Sequence, residues 1–175
     1  MFKAAGLLLG LALVVGGLIA LGEHAREELR GRERYAGPFA DVECLPPPTH
    51  QSLRDFLDEV QYYARLPRRL QLLDPDLGRR LAEGFALHPW VRKVERVEVS
   101  GREVRVRLVY RRPALAVRLA DRVRVVDEEG VLLPARAPSA GLPVFDGTAP
   151  QPSGPAGARW GDAAVEKAAR EAGHR

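Results

Sequence analysis

The sequence predicts an α+β protein: a single N-terminal transmembrane helix, a β-α-α-β-β unit, then a short β meander. Three observations carry this expectation. The nineteen residues from Ala4 to Gly22 bear neither charge nor a polar side chain, and at 1.5 Å per residue such a helix reaches about 28 Å, close to the thickness of a bilayer core. Two later stretches repeat apolar residues at helical spacing. Between 97 and 110 apolar and charged residues alternate around a Ser100-Gly101 turn.

Residues 1–3 form a minimal cytoplasmic start, with Lys3 ahead of the apolar segment 4–22. This fits an uncleaved signal anchor or a signal peptide cleaved after Ala20-Leu21-Gly22, and the length of the apolar run favours the anchor. Arg26, Arg30, Arg32 and Arg34 follow within a charged juxtamembrane linker, 23–38. They run against the positive-inside rule, but long domains translocate largely regardless of charge. The expectation is a single-pass protein of the cytoplasmic (inner) membrane, with the lipid bilayer as a partner and the bulk of the chain extracytoplasmic.

The next unit covers 39–112. A short extended stretch, Phe39–Cys44, runs into Pro46-Pro47-Pro48, which cannot donate to a sheet ladder. Leu53, Phe56, Leu57, Val60 and Tyr63 then make one apolar stripe at helical spacing, with Ser52 as N-cap and Pro67 as the stop. A second helix begins at Asp74-Pro75, carries Leu77, Leu81 and Phe85 on one face, and ends near His88 because Pro89 disfavours helix before it. Two helices this short need a sheet to pack on. The hairpin supplies it: Val97 and Val99 on one strand, Val104, Val106, Leu108 and Tyr110 on the next, with Arg105 and Arg107 on the opposite face.

Pro113 breaks that hairpin and opens a meander over 113–147, with alternating runs at Leu115, Val117, Leu119 and at Val123–Val126, and a tight turn at Asp127–Gly130. Residues 148–175 read as a Pro/Gly linker followed by a short helix capped at Asp162.

Composition excludes several chemistries. One cysteine, Cys44, allows no intrachain disulfide and no cysteine-cluster metal site. His24, His50, His88 and His174 show no paired ligand spacing. No Walker loop, glycine fingerprint, G-x-S-x-G or H-E-x-x-H occurs. Cys44 with His50, and the carboxylates Asp127, Glu128 and Glu129, read as structural rather than catalytic, so no enzyme and no cofactor or small-molecule substrate is expected. Between Arg92 and Arg112 lie eight basic and three acidic residues. Such a ribbon is able to track phosphates, yet Glu95, Glu98 and Glu103 are placed to neutralise a solvated sheet face. A nucleic-acid-binding role is the weaker reading.

The run His88-Pro89-Trp90-Val91, the step Arg112-Pro113, the turn Asp127 to Gly130 and the close Leu142-Pro143 to Gly147, in this order, resemble the FtsQ/DivIB family of bacterial cell-division proteins. The resemblance implies that 39–112 is a POTRA domain and 113–147 part of a following β domain. It implies a non-catalytic scaffold at the division septum that binds divisome membrane proteins of the FtsB/FtsL type. Family members place further strands after the last helix, and this sequence lacks them. It also has Arg111 where the family has an acid, and Cys44-Leu45-Pro46 in place of its usual glycine step. A POTRA-like envelope module for secretion or outer-membrane assembly is the alternative.

Binding in such a domain would proceed by addition of a partner strand to a sheet edge. With Pro46–Pro48 disabling the region after the first strand, the docking edge is expected on strand 104–110 or 114–119, through Val104, Val106, Leu108, Tyr110, Leu115, Val117 and Leu119.

Overall fold

The apolar stripe of residues 53–63 folds as predicted into a helix, α1 (Leu53–Ala64), in the computed structural model, which describes residues 35–174 and Val15. Ser52 caps it, its Oγ accepting from the Asp55 N–H at 3.1 Å. Arg65, in the left-handed region at φ 51°, terminates it two residues before Pro67. The buried part of the stripe is Phe56, Leu57 and Val60, while Leu53 and Tyr63 lie at its exposed ends.

Helix α2 (Leu77–Ala86) starts two residues later than Asp74-Pro75 suggests. Asp74 still organises the start, because its Oδ1 accepts from the Asp76 N–H at 3.0 Å in an Asx turn. Leu77, Leu81 and Phe85 are buried. At Gly84 a Cβ would lie 3.0 Å from the Ala64 and Leu66 side chains, so α2 packs closely here against the end of α1 and the residues that follow it.

Among the described residues, seven strands accompany these helices: β1 (Ala36–Pro38), β2 (Glu43–Leu45), β3 (Arg69–Gln71), β4 (Val91–Ser100), β5 (Glu103–Tyr110), β6 (Pro113–Arg118) and β7 (Val123–Asp127). The stretch expected to be extended from Phe39 is instead a 3-10 turn at Phe39–Asp41, and only Glu43–Leu45 pairs. The first sheet has the order β2-β5-β4, with β2 parallel and β4 antiparallel to β5. Its core joins Phe39, Phe56 and Phe85, whose rings lie about 6 Å apart (Phe39–Phe85 6.1 Å, Phe56–Phe85 6.0 Å), to Val104, Val106 and Leu108 of β5. The antiparallel pair β1–β3 lies at the margin.

The second sheet has β6 and β7 at its centre. Residues 143–145 bond to the outer side of β6 through Ala116, and 131–133 to the outer side of β7. Residues 157–160 in turn bond to 130–132. The stretch read as a free Pro/Gly linker is thus, over its last part, a packed sheet margin. Helix α3 (Ala163–Gly173), capped by Asp162, closes one face over Leu115, Val117, Val126, Leu132 and Trp160.

The single N-terminal transmembrane helix is not supported, and neither is the single-pass placement in the inner membrane that followed from it. Among the described residues no helix is long and apolar enough to cross a membrane. Segments 1–3, 4–22 and most of 23–38 lie outside the described residues, apart from the helical, exposed Val15 and residues from 35 onward.

Candidate functional site

The hairpin β4–β5 is built by alternation. Val104, Val106 and Leu108 face the helices and are at most 5% exposed, while Glu103, Arg105 and Arg107 face solvent. Strand β5 is bonded on one side to β2 (Glu43↔Arg105, Cys44↔Val106, Leu45↔Arg107) and on the other to β4. It is therefore the central strand, and on the β2 side its ladder is filled over Arg105–Arg107, the middle of the strand where docking was expected. Val104, Val106 and Leu108 are core residues, and Tyr110 is a half-buried one whose ring meets Phe56 edge-on at 5.7 Å.

The same holds for β6. Leu115 and Val117 are buried under α3, and Ala116 donates to the Pro143 carbonyl at 2.9 Å on the outer side. Leu119 lies beyond the strand, in a turn, donating to the Arg122 carbonyl at 2.8 Å.

The free edge is β4. Among the described residues its ten-residue length pairs with β5 alone. Register shifts at Val91/Lys93 and Val94/Arg96 bend its first half, whereas from Arg96 to Ser100 the ladder runs unbroken against Arg107 to Glu103. Val94, Val97 and Val99 stand opposite Leu108, Val106 and Val104, on the helix side; Val94 and Val97 are half-buried and Val99 is exposed. Bulges and charges are how proteins protect an edge against unwanted pairing, so the regular window is confined to 96–100. The density of charge in V-R-K-V-E-R-V-E was the available signal for an edge. The four apolar side chains on one face of β5 were the signal for a centre.

Charges on the solvent face largely cancel. Arg105 meets Glu43 at 2.9 Å and Glu103 at 2.8 Å, and Arg96 meets Glu98 at 2.9 Å. Arg107 has no acidic partner among the described residues, and it sits directly opposite Arg96.

The residues of the cell-division resemblance converge elsewhere, at the joint between the two sheets. Trp90 packs with Val125, Leu133 and Leu142, and His50 stacks on its ring at 4.2 Å. Asp127, buried, accepts from Arg111 Nη1 at 2.7 Å through Oδ2 and from the Glu129 and Val131 N–H groups at 3.0 and 2.8 Å through Oδ1. Arg92 reaches Glu128 at 2.6 Å and Glu129 at 3.0 Å. Burial works against ionisation of Glu129, but the Arg111 and Arg92 guanidiniums outweigh it and hold the carboxyl below its usual range. Gly130 has φ +76°, and a Cβ there would strike Glu166 of α3 at 2.6 Å. Pro89 is buried, Pro113 opens β6 opposite Asp127, and Pro143 supplies the carbonyl that closes on Ala116. Arg112 and Gly147 are exposed. A cleft of about 530 Å³ runs between Pro46–His50 and Tyr110–Arg112. Its Arg92 and Arg111 are already paired to its Glu128 and Asp127.

His88 pins the first half of this joint. The Trp90 N–H donates to Nδ1 at 3.3 Å, so Nε2 carries the proton and donates to Glu59 at 3.0 Å. Burial lowers the ring below its ordinary value of 6.5, against the opposing pull of Glu59. Because the folded value is the lower one, the stability from the neutral ring is complete above the unfolded value and is lost as pH falls through the folded one. The urea midpoint is therefore expected to drop on acidification from pH 7 to pH 5, and His88→Gln is expected to flatten that dependence. An equal drop in the variant would assign it to other groups.

Cys44 is buried in the middle of β2, and desolvation, then Glu43, pushes its thiol up to about 12. No hydrogen bond links it to His50, and a thiol held protonated is not a nucleophile. Among the described residues no cluster of metal-ligating side chains occurs.

No family model, no curated protein and no solved structure matches the chain. The likeness to cell-division proteins rests on the quoted residues alone.

Proposed function

We propose that the chain is a non-catalytic binding module of bacterial cell division, of POTRA type, that docks an extended segment of a partner divisome protein along the outer edge of β4. The observation that carries the reading is the outer ladder of β4, unpaired among the described residues and regular over Arg96–Ser100, next to a β5 that is paired on both sides over Arg105–Arg107. The sequence motifs support the division context, and the order of helices and strands from β2 to β5 supports the module type. Affinity would come from main-chain hydrogen bonds, and selectivity from the side chains that flank them.

Successive residues of an edge strand turn their backbone groups alternately toward the neighbouring strand and away from it. Of Val97→Pro and Glu98→Pro, one therefore removes an outward N–H and leaves the fold intact, while the other breaks the β4–β5 ladder. A fluorescent fusion of the chain is expected to form a midcell band in dividing cells of the source organism. The variant that stays folded by circular dichroism is expected to lose it. An even signal from the unaltered chain, or a band that survives in the folded proline variant, would overturn the proposal.

A further inference from the structure

We infer that the docked segment is a short apolar strand carrying an aspartate or glutamate opposite Arg96, an inference that rests on the β4 reading above. Three features fix this chemistry. The first is length: the register shifts at Val91/Lys93 and Val94/Arg96 leave only Arg96–Ser100 as an undistorted ladder, so a partner strand of about five or six residues fits.

The second is the helix-side row. Val97 is half-buried at the rim of the core, and Val99 is 38% exposed. Both lie on the side of the sheet that the helices cover, where their β5 partners Val106 and Val104 are buried. A partner strand would set its own alternate side chains beside them, and apolar ones would extend the core by one strand.

The third is the solvent-side row. Reading across the sheet at one level, the residues are Leu45, Arg107 and Arg96. Two guanidiniums stand directly opposite each other, an arrangement that disfavours pairing between like charges. Glu98 engages Arg96 but not Arg107, and Arg96 is 71% exposed in that pair, leaving it a weak one. Lys93, one bulge further on, is exposed and has no acidic partner among the described residues. Glu95 sits in the bulge between them, and Glu43, Glu98 and Glu103 are the other acids of this face, all engaged by Arg105 or Arg96. A carboxylate in the added strand, next to Arg96, would complete the row with the sign it lacks. A basic residue there would place a third positive charge in line.

The probes are three capped six-residue peptides of alternating valine and threonine, with glutamate, glutamine or lysine at the central solvent-side position. Each is titrated into the full chain at low ionic strength, with binding followed by amide chemical-shift changes. The glutamate peptide is expected to bind about threefold more tightly than the glutamine peptide and about tenfold more tightly than the lysine peptide, with shifts confined to β4. Arg96→Glu is expected to reverse the order, and 0.5 M salt to compress it. Equal binding of all three on β4 would overturn the charge inference and leave edge docking standing. Absence of binding by every peptide would overturn edge docking, and the inference with it. A glutamate preference that persists unchanged in the folded proline variant would place the acid elsewhere and overturn the inference as well.

Discussion

Asp127→Ala is expected to destabilise the protein by about 3–5 kcal/mol, the range for removing one partner from a buried ion pair. The carboxylate is almost wholly buried, and it serves both a guanidinium and a turn. Its Oδ2 faces Arg111, a side chain only 14% exposed. Its Oδ1 accepts from the Glu129 and Val131 N–H groups. Alanine would leave a buried cation with only Glu129 at 3.0 Å and two backbone donors unsatisfied. Asp127→Asn keeps a carbonyl oxygen for the turn but sets an NH2 donor against the Arg111 guanidinium, so it loses the ion pair while sparing the two turn bonds and should cost less than alanine. Urea unfolding monitored by circular dichroism measures both. A loss under 1 kcal/mol for the alanine variant would mean that the joint is not held at this residue.

Phe85→Ala is expected to cost about 3–5 kcal/mol, as for other fully buried phenylalanines. The ring is 0% exposed and lies between Phe39 and Phe56 beneath β5. The ring packs in the core cluster with Leu81 of its own helix and Val104, Val106 and Leu108 of β5, so its removal leaves a cavity lined by apolar side chains. Trp160 offers a second readout, because it is buried in the other core with Nε1 donating to the Pro150 carbonyl at 3.2 Å. If the Trp90 and Asp127 joint couples the two cores, tryptophan fluorescence and far-ultraviolet signals should shift together in the Phe85 variant. A fluorescence transition left at its original midpoint would show that the cores unfold separately.

How much of this was legible in the sequence depends on the range of the interaction. Helices α1 and α2, the β4–β5 turn and the Asp127–Gly130 turn are local, and periodicity, caps and a glycine placed them to within a few residues. The β1–β3 pair was not visible, since three residues on each strand meet across 31 to 35 positions (Pro38↔Arg69 to Ala36↔Gln71) with no alternation to betray them. The candidate edge failed for the same reason. Val104 to Tyr110 alternate as a half-buried strand does, but alternation does not count neighbours. Only the parallel pairing of β2, 62 residues away at Glu43–Arg105, makes β5 central. Of the motif residues quoted from the sequence, His88, Trp90, Asp127 and Gly130 lie at the joint between the two sheets, whereas Arg112 and Gly147 are exposed.

That parallel pairing also dictates an order of assembly. The β4–β5 hairpin closes through a turn of two residues, Gly101 and Arg102, whereas β2 has to wait for a loop of about sixty residues containing both helices. Loop closure of that size is slow relative to hairpin formation. On the ribosome, β2 emerges first and is joined to the sheet last. Until then the strand that ends up innermost spends its early life as an open edge, chemically the same kind of surface that β4 offers in the folded chain.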